Sequence, residues 1–409
     1  MIHVAVLGYG TVGSGVVEVI EKNKEMVNKR AAEPVNLKYI LDIRDFPGDP
    51  YEEKIVHDVN IIMEDEEVSI VCETMGGVGA AYEFTKMALE RGKSVCTSNK
   101  ELVAAHGPEL LKTAHAHNCN YLFEASVGGG IPIIRPLNYS LTAEKIEAIT
   151  GILNGTTNYI LTKMEKEGAD FDAVLKKAQE KGYAERNPSA DIEGHDTCRK
   201  IAILASLMLA KTVDYREIYT EGITKVTAAD ILYAKAMGRT IKLLGMAEDQ
   251  NGKTFAMVAP FLISPENPLF MVNDVFNAVC VRGNMLGDSM YYGKGAGKLP
   301  TASAVVSDVV DCARHKGKII MCLWEEEKAQ IADIKEAEHA FFLRLKPEAL
   351  KAAEELFDGR KDPNVTQIVE IPGRTEDIGF VTPVIKEKDF QAAAHRLGDG
   401  LLGKIRIGR

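Results

Sequence analysis

The sequence predicts an α/β protein: a doubly wound parallel sheet first, an α+β region behind it, and a βαββαβ segment at the end. Three observations carry that expectation. A β-branched apolar hexamer, Ile2 to Leu7, runs into Gly8-Tyr9-Gly10-Thr11-Val12-Gly13 and then into helical spacing. Strand-like runs alternate with helical ones as far as Phe123. Beyond Pro136 longer helical stretches take over, and from Ala340 the pattern reads strand, helix, strand, strand, helix, strand.

Each element follows from local pattern. Gly8 permits the tight turn, Gly10 lets the backbone approach a pyrophosphate, and Gly13 lets helix pack close to strand. Val12, Val16, Val19 and Ile20 recur at helical spacing, and that helix's N-terminus offers amide donors to phosphates. Strand, glycine turn and helix in this order make the Rossmann dinucleotide fingerprint. Leu37 to Leu41 and Val68 to Cys72 read as strands, the second stopping at Glu73-Thr74-Met75-Gly76-Gly77. Ala80 to Arg91 is helical and ends at Gly92, a natural C-cap. Ser94 to Thr97 is a strand running into Ser98-Asn99-Lys100. Leu102 to His117 is helical, with Gly107-Pro108 expected to break or restart it. Asn120 to Phe123 is a strand ending at Glu124.

Behind Pro136 the pattern gives a strand over Ile146 to Leu153 and helices over Asn158 to Glu167, Asp172 to Lys181 and Asp196 to Lys211. Strands return near Val258 and over Val275 to Val281. Pro300 to Val306 returns to the first domain as a helix, and Trp324 to Lys328 reads as a solvated linker. The last segment should hold elements at Phe341 to Leu345, Leu350 to Phe357, Val365 to Ile371, Ile378 to Ile385 and Asp389 to Leu397. The expected domains are 1–135, completed by about 300–322, then 136–299 and 335–409.

Composition narrows the function. The 409 residues carry 49 Lys and Arg against 59 Asp and Glu, a net charge of −10. That balance argues against nucleic acid as the partner, since a phosphate backbone selects a basic face. Seven cysteines are scattered with no Cys-x-x-Cys pair, which suits thiols in a reducing compartment better than disulfides or a zinc cage. The N-terminus lacks the pattern of a signal peptide, and the most apolar stretch, Ile201 to Ala210, is about half a membrane span. A cytoplasmic protein without a membrane partner is expected.

Several groups have chemistry in reach. After the second strand, Asp42 and Asp45 suit ribose hydroxyls, whereas Arg44 suits a 2′-phosphate; a solvated loop is the plain alternative. Lys100 follows a buried strand directly, so it either points into the crevice beyond the strand ends or is a surface lysine. Gly128-Gly129-Gly130 after Glu124 is either a sharp turn or a set of carbonyl oxygens gathered beside a carboxylate, the shell a hard cation favours. Gly182-Tyr183-Ala184-Glu185, Pro188, Asp191, Gly194, Asp196 and Lys200 put three carboxylates and a lysine on a loop entering an apolar helix. Asp196 and Lys200 share a helix face, as a plain ion pair or as a proton donor with its carboxylate. His115 and His117 face different ways on a helix, and no Ser nucleophile elbow or His-Glu-x-x-His is present.

Gly151-Ile152-Leu153-Asn154-Gly155-Thr156-Thr157-Asn158-Tyr159-Ile160-Leu161 closely resembles the signature of homoserine dehydrogenase. The resemblance runs on through Gly182 to Lys200, and takes in Ser98-Asn99-Lys100, Gly128 to Gly130 and Gly295 to Ser303, so it spans about residues 1 to 320. It implies reversible oxidation of L-homoserine to L-aspartate 4-semialdehyde with NADP or NAD, NADP favoured, in threonine and methionine biosynthesis. Carried over by position, Lys200 resembles the catalytic proton donor and acceptor and Lys100 the second active-site lysine, near nicotinamide and substrate. Glu185, Asp191 and Asp196 resemble the substrate-binding cluster. Gly8, Tyr9, Gly10, Thr11, Val12 and Gly13 resemble the cofactor turn, with Arg44 beside it. Glu124, through its side chain, and Val127, Gly129 and Ile131, through their carbonyls, resemble a site for a monovalent cation such as sodium. The family also implies that the middle domain is catalytic and dimerising, so a homodimer is expected.

The last segment resembles an ACT domain, a regulatory βαββαβ module, through which a tetramer could form. Its first loop reads Lys346-Pro347-Glu348-Ala349-Leu350 and lacks the glycine that lets an amino acid approach the backbone, which counts against threonine control. Two rivals stand beside this reading. Another Rossmann dehydrogenase of small hydroxy acids would not need the Asn154 signature together with the Glu185 to Lys200 cluster. A catalytically silent cofactor-binding sensor would not need Lys100 and Lys200.

Overall fold

In the structure, a computed structural model that describes residues 1–250, 252–357 and 367–408, the opening hexamer is strand β1 (Ile2–Leu7). The chain forms two units, one of residues 1–145, 202–215 and 291–329, the other of 146–201, 216–290 and 330 onward.

From the glycine turn the first unit continues through α1 (Thr11–Lys22), α2 (Lys24–Ala31), β2 (Val35–Leu41), β3 (Ile55–Val56), α3 (Val59–Glu64), β4 (Val68–Glu73), α4 (Gly79–Glu90), β5 (Ser94–Thr97), α5 (Lys100–Ala116) and β6 (Tyr121–Leu122). The sheet order is β3-β2-β1-β4-β5-β6, parallel throughout. This is the Rossmann arrangement, and the order reverses between β1 and β4. Open α/β sheets bind ligands beyond the carboxyl ends of the strands at such a switch point. The turns after β1 and β4, and Lys100 after β5, all lie at that edge.

Pro108 does not break its helix but sits inside α5. An interior proline forfeits a backbone hydrogen bond, yet packing holds the helix together here. Gly107 lies flat against the Trp324 ring, where a Cβ would stand 2.8 Å from the indole. The same contact corrects the solvated linker. Trp324 is buried and its Nε1 donates to Thr212 Oγ1 at 3.2 Å. The four charged residues after it form a short strand with their side chains exposed.

The second unit begins with β7 (Ile146–Ile152), α6 (Gly155–Glu167), α7 (Phe171–Glu180), α8 (Ser189–Ile192) and the first part of α9 (His195–Leu209), whose residues from 202 count with the first unit, as does β8 (Lys211–Thr212) after it. After β8 come β9 (Tyr219–Thr220), α10 (Ala228–Ala236), β10 (Thr240–Gln250), β11 (Lys253–Ile263), β12 (Phe276–Gly283) and β13 (Gly287–Lys294). Strand β10 has no counterpart among the expected elements. Its first six residues are all buried, so the alternation that marks a half-exposed strand is missing. The apolar run Ile201 to Ala210 ends α9, and among the described residues no helix is long and apolar enough to cross a membrane.

α11 (Lys298–Arg314) returns to the first unit as expected and packs on α1. Gly15 makes room: a Cβ there would lie 2.9 Å from the Ala302 Cβ. Val16, Ile20, Val305 and Val309 join Val4, Val6, Leu37 and Ile70 in one core. β14 (Glu325–Lys328) then pairs with β8.

The last segment runs β15 (Glu338–Leu345), α12 (Leu350–Phe357), β16 (Gln367–Val369), β17 (Ile378–Val381), β18 (Ile385–Lys386), α13 (Glu387–Leu397) and β19 (Leu401–Ile407). Residues 365 and 366 of the expected second strand lie outside the described residues. Strands β19-β15-β17-β16 are antiparallel in that order, the arrangement of a split βαββαβ unit. Phe341, Phe357, Phe380 and Phe390 form its core, with Phe341 and Phe390 stacked at 4.0 Å. One edge is not left open. β19 pairs in parallel with β11 at Phe261↔Arg406 and Leu262↔Ile407, so one sheet runs β13-β12-β7-β10-β11-β19-β15-β17-β16. The chain changes unit after Lys145, Ile201, Tyr215, Met290 and Ala329, and the last segment shares the unit of the middle one.

Candidate active site

At the end of β1 the backbone of Gly8 takes φ +91°, a left-handed value that glycine adopts without strain. Gly13 must be glycine for a different reason: a Cβ there would lie 1.8 Å from the Gly8 carbonyl oxygen. Thr74 Oγ1, after β4, donates to the carbonyls of Leu7 and Gly8 at 3.0 and 2.9 Å and fixes the turn. Gly10 is the N-cap of α1 and brings no side chain to its amides, and no atom lies within 4 Å of where its Cβ would stand. Open space over uncapped helix amides suits a pyrophosphate. Thr11 and Val12 form the first turn of α1. The side chain of Tyr9 turns toward the 42–51 loop, its ring edge-on to Phe46 at 5.0 Å, so only its backbone belongs to the turn.

Asp42 is buried and its carboxylate is saturated. It accepts from Tyr9 N at 2.8 Å, from Arg44 N at 3.0 Å, and from Arg44 Nε and Nη2 at 2.9 and 3.0 Å. Hydrogen bonds from the Arg44 guanidinium, ahead of burial, hold its carboxyl far below the usual range. The Arg44 side chain remains 57% exposed, lying over the Phe46 ring at 5.0 Å.

Lys100 opens α5, and Asn99 caps that helix by accepting from Leu102 N at 3.1 Å. A cation at a helix N-terminus works against the helix dipole, typically by about 0.3–1 kcal/mol, so this position gathers positive charge that helix stability does not ask for. The turn that carries it is held from below. Glu73, fully buried at the end of β4, accepts from Thr97 Oγ1 at 2.6 Å and from Met75 N at 2.8 Å. Asn99 N donates to Thr97 Oγ1 at 2.9 Å, and Asn99 Nδ2 to Gly77 O at 2.7 Å. Burial pushes the Glu73 carboxyl up. Glu73, Thr97 and Asn99 were not among the expected site residues. The available signal was a lone acid ending an otherwise apolar strand.

Glu124 is also buried, and both its oxygens are committed. Oε1 accepts from the amides of Ile133 and Ile134 at 2.6 and 2.9 Å, and Oε2 from Arg135 N at 2.7 Å. The side chain therefore organises the 131–135 turn. The three glycines follow from close packing. Gly129, at φ +57°, lies where a Cβ would stand 2.3 Å from Gly295 O, and Gly130 N donates to Lys294 O at 3.1 Å. Val127, Gly129 and Ile131 can offer only carbonyls. Beside them Arg135 pairs with Asp308 and, at 2.6 Å, with Asp311. Burial raises the Asp308 carboxyl to about 8. Among the described residues no group of three or more His, Cys, Asp or Glu side chains is placed to hold a metal ion.

In the second unit, Asn154 caps α6 with its side-chain oxygen, accepting from Thr157 N at 2.9 Å. Its amide nitrogen donates to Asp191 Oδ1 at 2.8 Å and to Asp196 Oδ2 at 2.9 Å. The Lys200 ammonium lies 2.9 Å from the same Asp196 oxygen and donates to Leu153 O at 2.8 Å. Asp196 and Lys200 are buried, 5% and 8% exposed, so this is no solvated surface pair. The structure thus brings together Asp191, Asp196 and Lys200, around an asparagine whose side chain the sequence reading had not placed at the centre. Glu185 stands apart. It is exposed in the loop before α8, and among the described residues no hydrogen bond or ion pair joins its carboxylate to the group. The loop itself is tied to α6 by Thr156 Oγ1, which donates to Tyr183 O at 2.7 Å.

Two family models match the chain. One, described as homoserine dehydrogenase, NAD binding domain, covers residues 8–124, and the other, described as homoserine dehydrogenase, covers 132–310. The homoserine dehydrogenase of Bacillus subtilis is 42% identical over 313 residues, 76% of this chain and 72% of that protein. The chain belongs to the homoserine dehydrogenase family. It is an oxidoreductase with a nicotinamide-binding Rossmann unit. A homoserine dehydrogenase structure from Thiobacillus denitrificans matches with a TM-score of 0.90 at 35% identity, covering 100% of this chain and 98% of that one. A hyperthermophilic archaeal homoserine dehydrogenase in complex with NADPH matches with a TM-score of 0.65 at 29% identity, over 76% of this chain and 97% of that one. The glycine turn, Lys100 and Glu124 fall within or at the end of the first matched region, and Asn154 to Lys200 within the second.

Proposed function

We propose that this homoserine dehydrogenase interconverts L-homoserine and L-aspartate 4-semialdehyde with Lys200 as the proton donor and acceptor. The observation that carries the assignment is the buried Lys200 ammonium, oriented by Leu153 O and Asp196 Oδ2. The nicotinamide, when bound, takes up or gives the hydride. In reduction the aldehyde oxygen becomes an alkoxide, and an ammonium beside it stabilises that charge and then supplies the proton. In oxidation the same nitrogen receives the hydroxyl proton. Lys100 adds a second cation for the reacting oxygen or the substrate carboxylate. Asp191 and Glu185 hold the substrate ammonium, with Glu185 arriving from its exposed loop. Asp196 keeps Lys200 in place.

The glycine turn from Gly8 to Gly13 and the first amides of α1 receive the pyrophosphate. NADP is the preferred cofactor. The saturated Asp42 carboxylate is a poor acceptor for a ribose hydroxyl, while the exposed Arg44 guanidinium suits a 2′-phosphate. A monovalent cation such as sodium is held by the Glu124 carboxylate and the carbonyls of Val127, Gly129 and Ile131. Residues 1–135 with 300–322 serve as the cofactor domain, 136–299 as the catalytic and dimerising domain, and 335–409 as an ACT-like module. The protein works as a cytoplasmic homodimer, or a tetramer through that module, which accords with its cysteines being free thiols. The test is a spectrophotometric assay with homoserine and NADP or NAD, repeated on Lys200→Met. Turnover that survives the substitution refutes the assignment.

A further inference from the structure

We propose that Asn154 is a positioning residue of this reaction: its side-chain amide holds Asp191 and Asp196 apart and thereby sets the position of the Lys200 ammonium. The inference rests on the assignment of Lys200 made above.

The geometry is a chain of fixed orientations. Asn154 Oδ1 accepts from Thr157 N at 2.9 Å and from Thr157 Oγ1 at 3.1 Å. Those two bonds decide which end of the amide is oxygen. The NH2 group is then turned to the carboxylates, one hydrogen to Asp191 at 2.8 Å and one to Asp196 at 2.9 Å. Asp196 Oδ2 receives Asn154 on one side and Lys200 on the other. The residue before Asn154 supplies the carbonyl that takes another Lys200 proton, at 2.8 Å. Lys200 is thus oriented from its own helix by Asp196 and from the β7–α6 junction by Leu153, and Asn154 joins the two.

β10 meets α9 with Gly245, where a Cβ would lie 3.0 Å from Thr197 Cγ2 and 3.2 Å from Ile201 Cβ. Glu193 and His195 pair with each other in solvent at 3.2 Å. Asp196, from the helix of Lys200, and Asp191, from α8, are both bound through Asn154. Without the two amide donors, the carboxylates lose the groups that separate them, and Asp196 loses its tie to the β7–α6 junction.

Two substitutions separate this role from helix capping. Asn154→Ser keeps an N-cap hydroxyl for α6 but removes both donors. Asn154→Asp keeps the cap and nearly the shape but puts a third carboxylate in their place. For homoserine oxidation Asn154→Ser should lose about 100-fold in kcat, the scale of an ångström-sized misplacement of a catalytic group. The KM for cofactor and the melting temperature should change little. In Asn154→Asp the added negative charge holds the lysine proton more tightly. The pH at which kcat/KM rises should therefore move up by about one unit. If Asn154→Ser stays within twofold of wild type, or Asn154→Asp leaves the pH profile where it was, Asn154 is only a helix cap. Lys200→Met, measured alongside, tells the two readings apart. If that variant remains active, the assignment of Lys200 falls and this inference with it. If it is inactive while Asn154→Ser is normal, this inference alone falls.

Discussion

Arg406→Met should weaken the second unit by about 3 kcal/mol, a magnitude that follows from what the guanidinium holds together. Arg406 lies on β19, 2% exposed. Its Nε and Nη2 reach the two oxygens of Glu387, the first residue of α13, at 2.5 and 3.0 Å. Its Nη1 reaches Glu221, just after β9, at 2.8 Å. Methionine keeps the aliphatic stem and deletes every donor. Glu221 retains Lys404 at 3.1 Å, so the carboxylate left stranded is Glu387, with only His339 beside it at 3.2 Å. Breaking a buried pair by removing one partner costs about 3–5 kcal/mol, and the surviving Lys404 contact favours the lower end. The titration of Glu387 shows how strongly its partners hold it as an anion. Burial alone would raise its carboxyl, but hydrogen bonds and charge from His339 and Arg406 outweigh burial and hold it at about 2, against an ordinary 4.5. That gap, about 3 kcal/mol, is the joint effect of His339 and Arg406 net of burial.

The sign of the pH dependence follows. A depressed carboxyl contributes stability that is complete above its unfolded value, near 4.5, and is lost as pH falls through about 2. The difference between wild type and Arg406→Met should therefore be largest at neutral pH and shrink between pH 4.5 and 2.5. Urea unfolding followed by far-UV circular dichroism reads both units together. The single tryptophan, Trp324, lies in the first unit and reports that one separately. The double variant Arg406→Met/Glu387→Gln should recover part of the loss, because it no longer buries an unpaired charge. A loss below about 1 kcal/mol, or a double variant as weak as the single, would refute the reasoning.

Lys200→Met should lower kcat about 100- to 1,000-fold while cofactor affinity, measured by fluorescence titration, stays near wild type. Arg44→Ala should lower kcat/KM with NADP more than with NAD, and an unchanged ratio means that Arg44 does not read the 2′-phosphate. Threonine should inhibit weakly, since the loop after β15 has no glycine and Gly400 already packs on it, with the Ala349 Cβ 2.6 Å from where a Gly400 Cβ would stand. Strong inhibition at low threonine, lost in a chain ending near Lys335, would show that the last segment senses the amino acid. Sizing of the same shortened chain checks assembly, and an unchanged oligomer removes that role from the segment.

The sequence alone determined whatever depends on a few neighbouring residues. The glycine turn after β1 was legible because φ +91° at Gly8 and the 1.8 Å clearance at Gly13 admit only one residue type, so the chemistry is written locally. The alternation of strand and helix gave the parallel sheet, and the spacing of Asp196 and Lys200 put them on one helix face. The signature around Asn154 identified the region but not what its amide does.

Tertiary structure decided the rest, in each case because a partner distant in sequence outweighed the local pattern. Pro108 reads as a helix break until Trp324, more than two hundred residues on, is seen to pack against Gly107. Strand β10 is hidden from any alternation test because β7 and β11 flank it and its first six residues are buried on both faces. Glu124 holds the turn after it through the amides of residues 133 to 135, partners its own stretch of sequence does not name. Asp42, which reads as a ribose acceptor, is filled by Tyr9 and Arg44. The last segment repeats a pattern that could stand alone, yet β19 joins β11 and Arg406 reaches Glu221. Local dihedral and periodic preferences are encoded residue by residue. The partner that satisfies a buried hydrogen-bonding group or charge is chosen only when the chain closes on itself, and burial makes that choice energetically decisive.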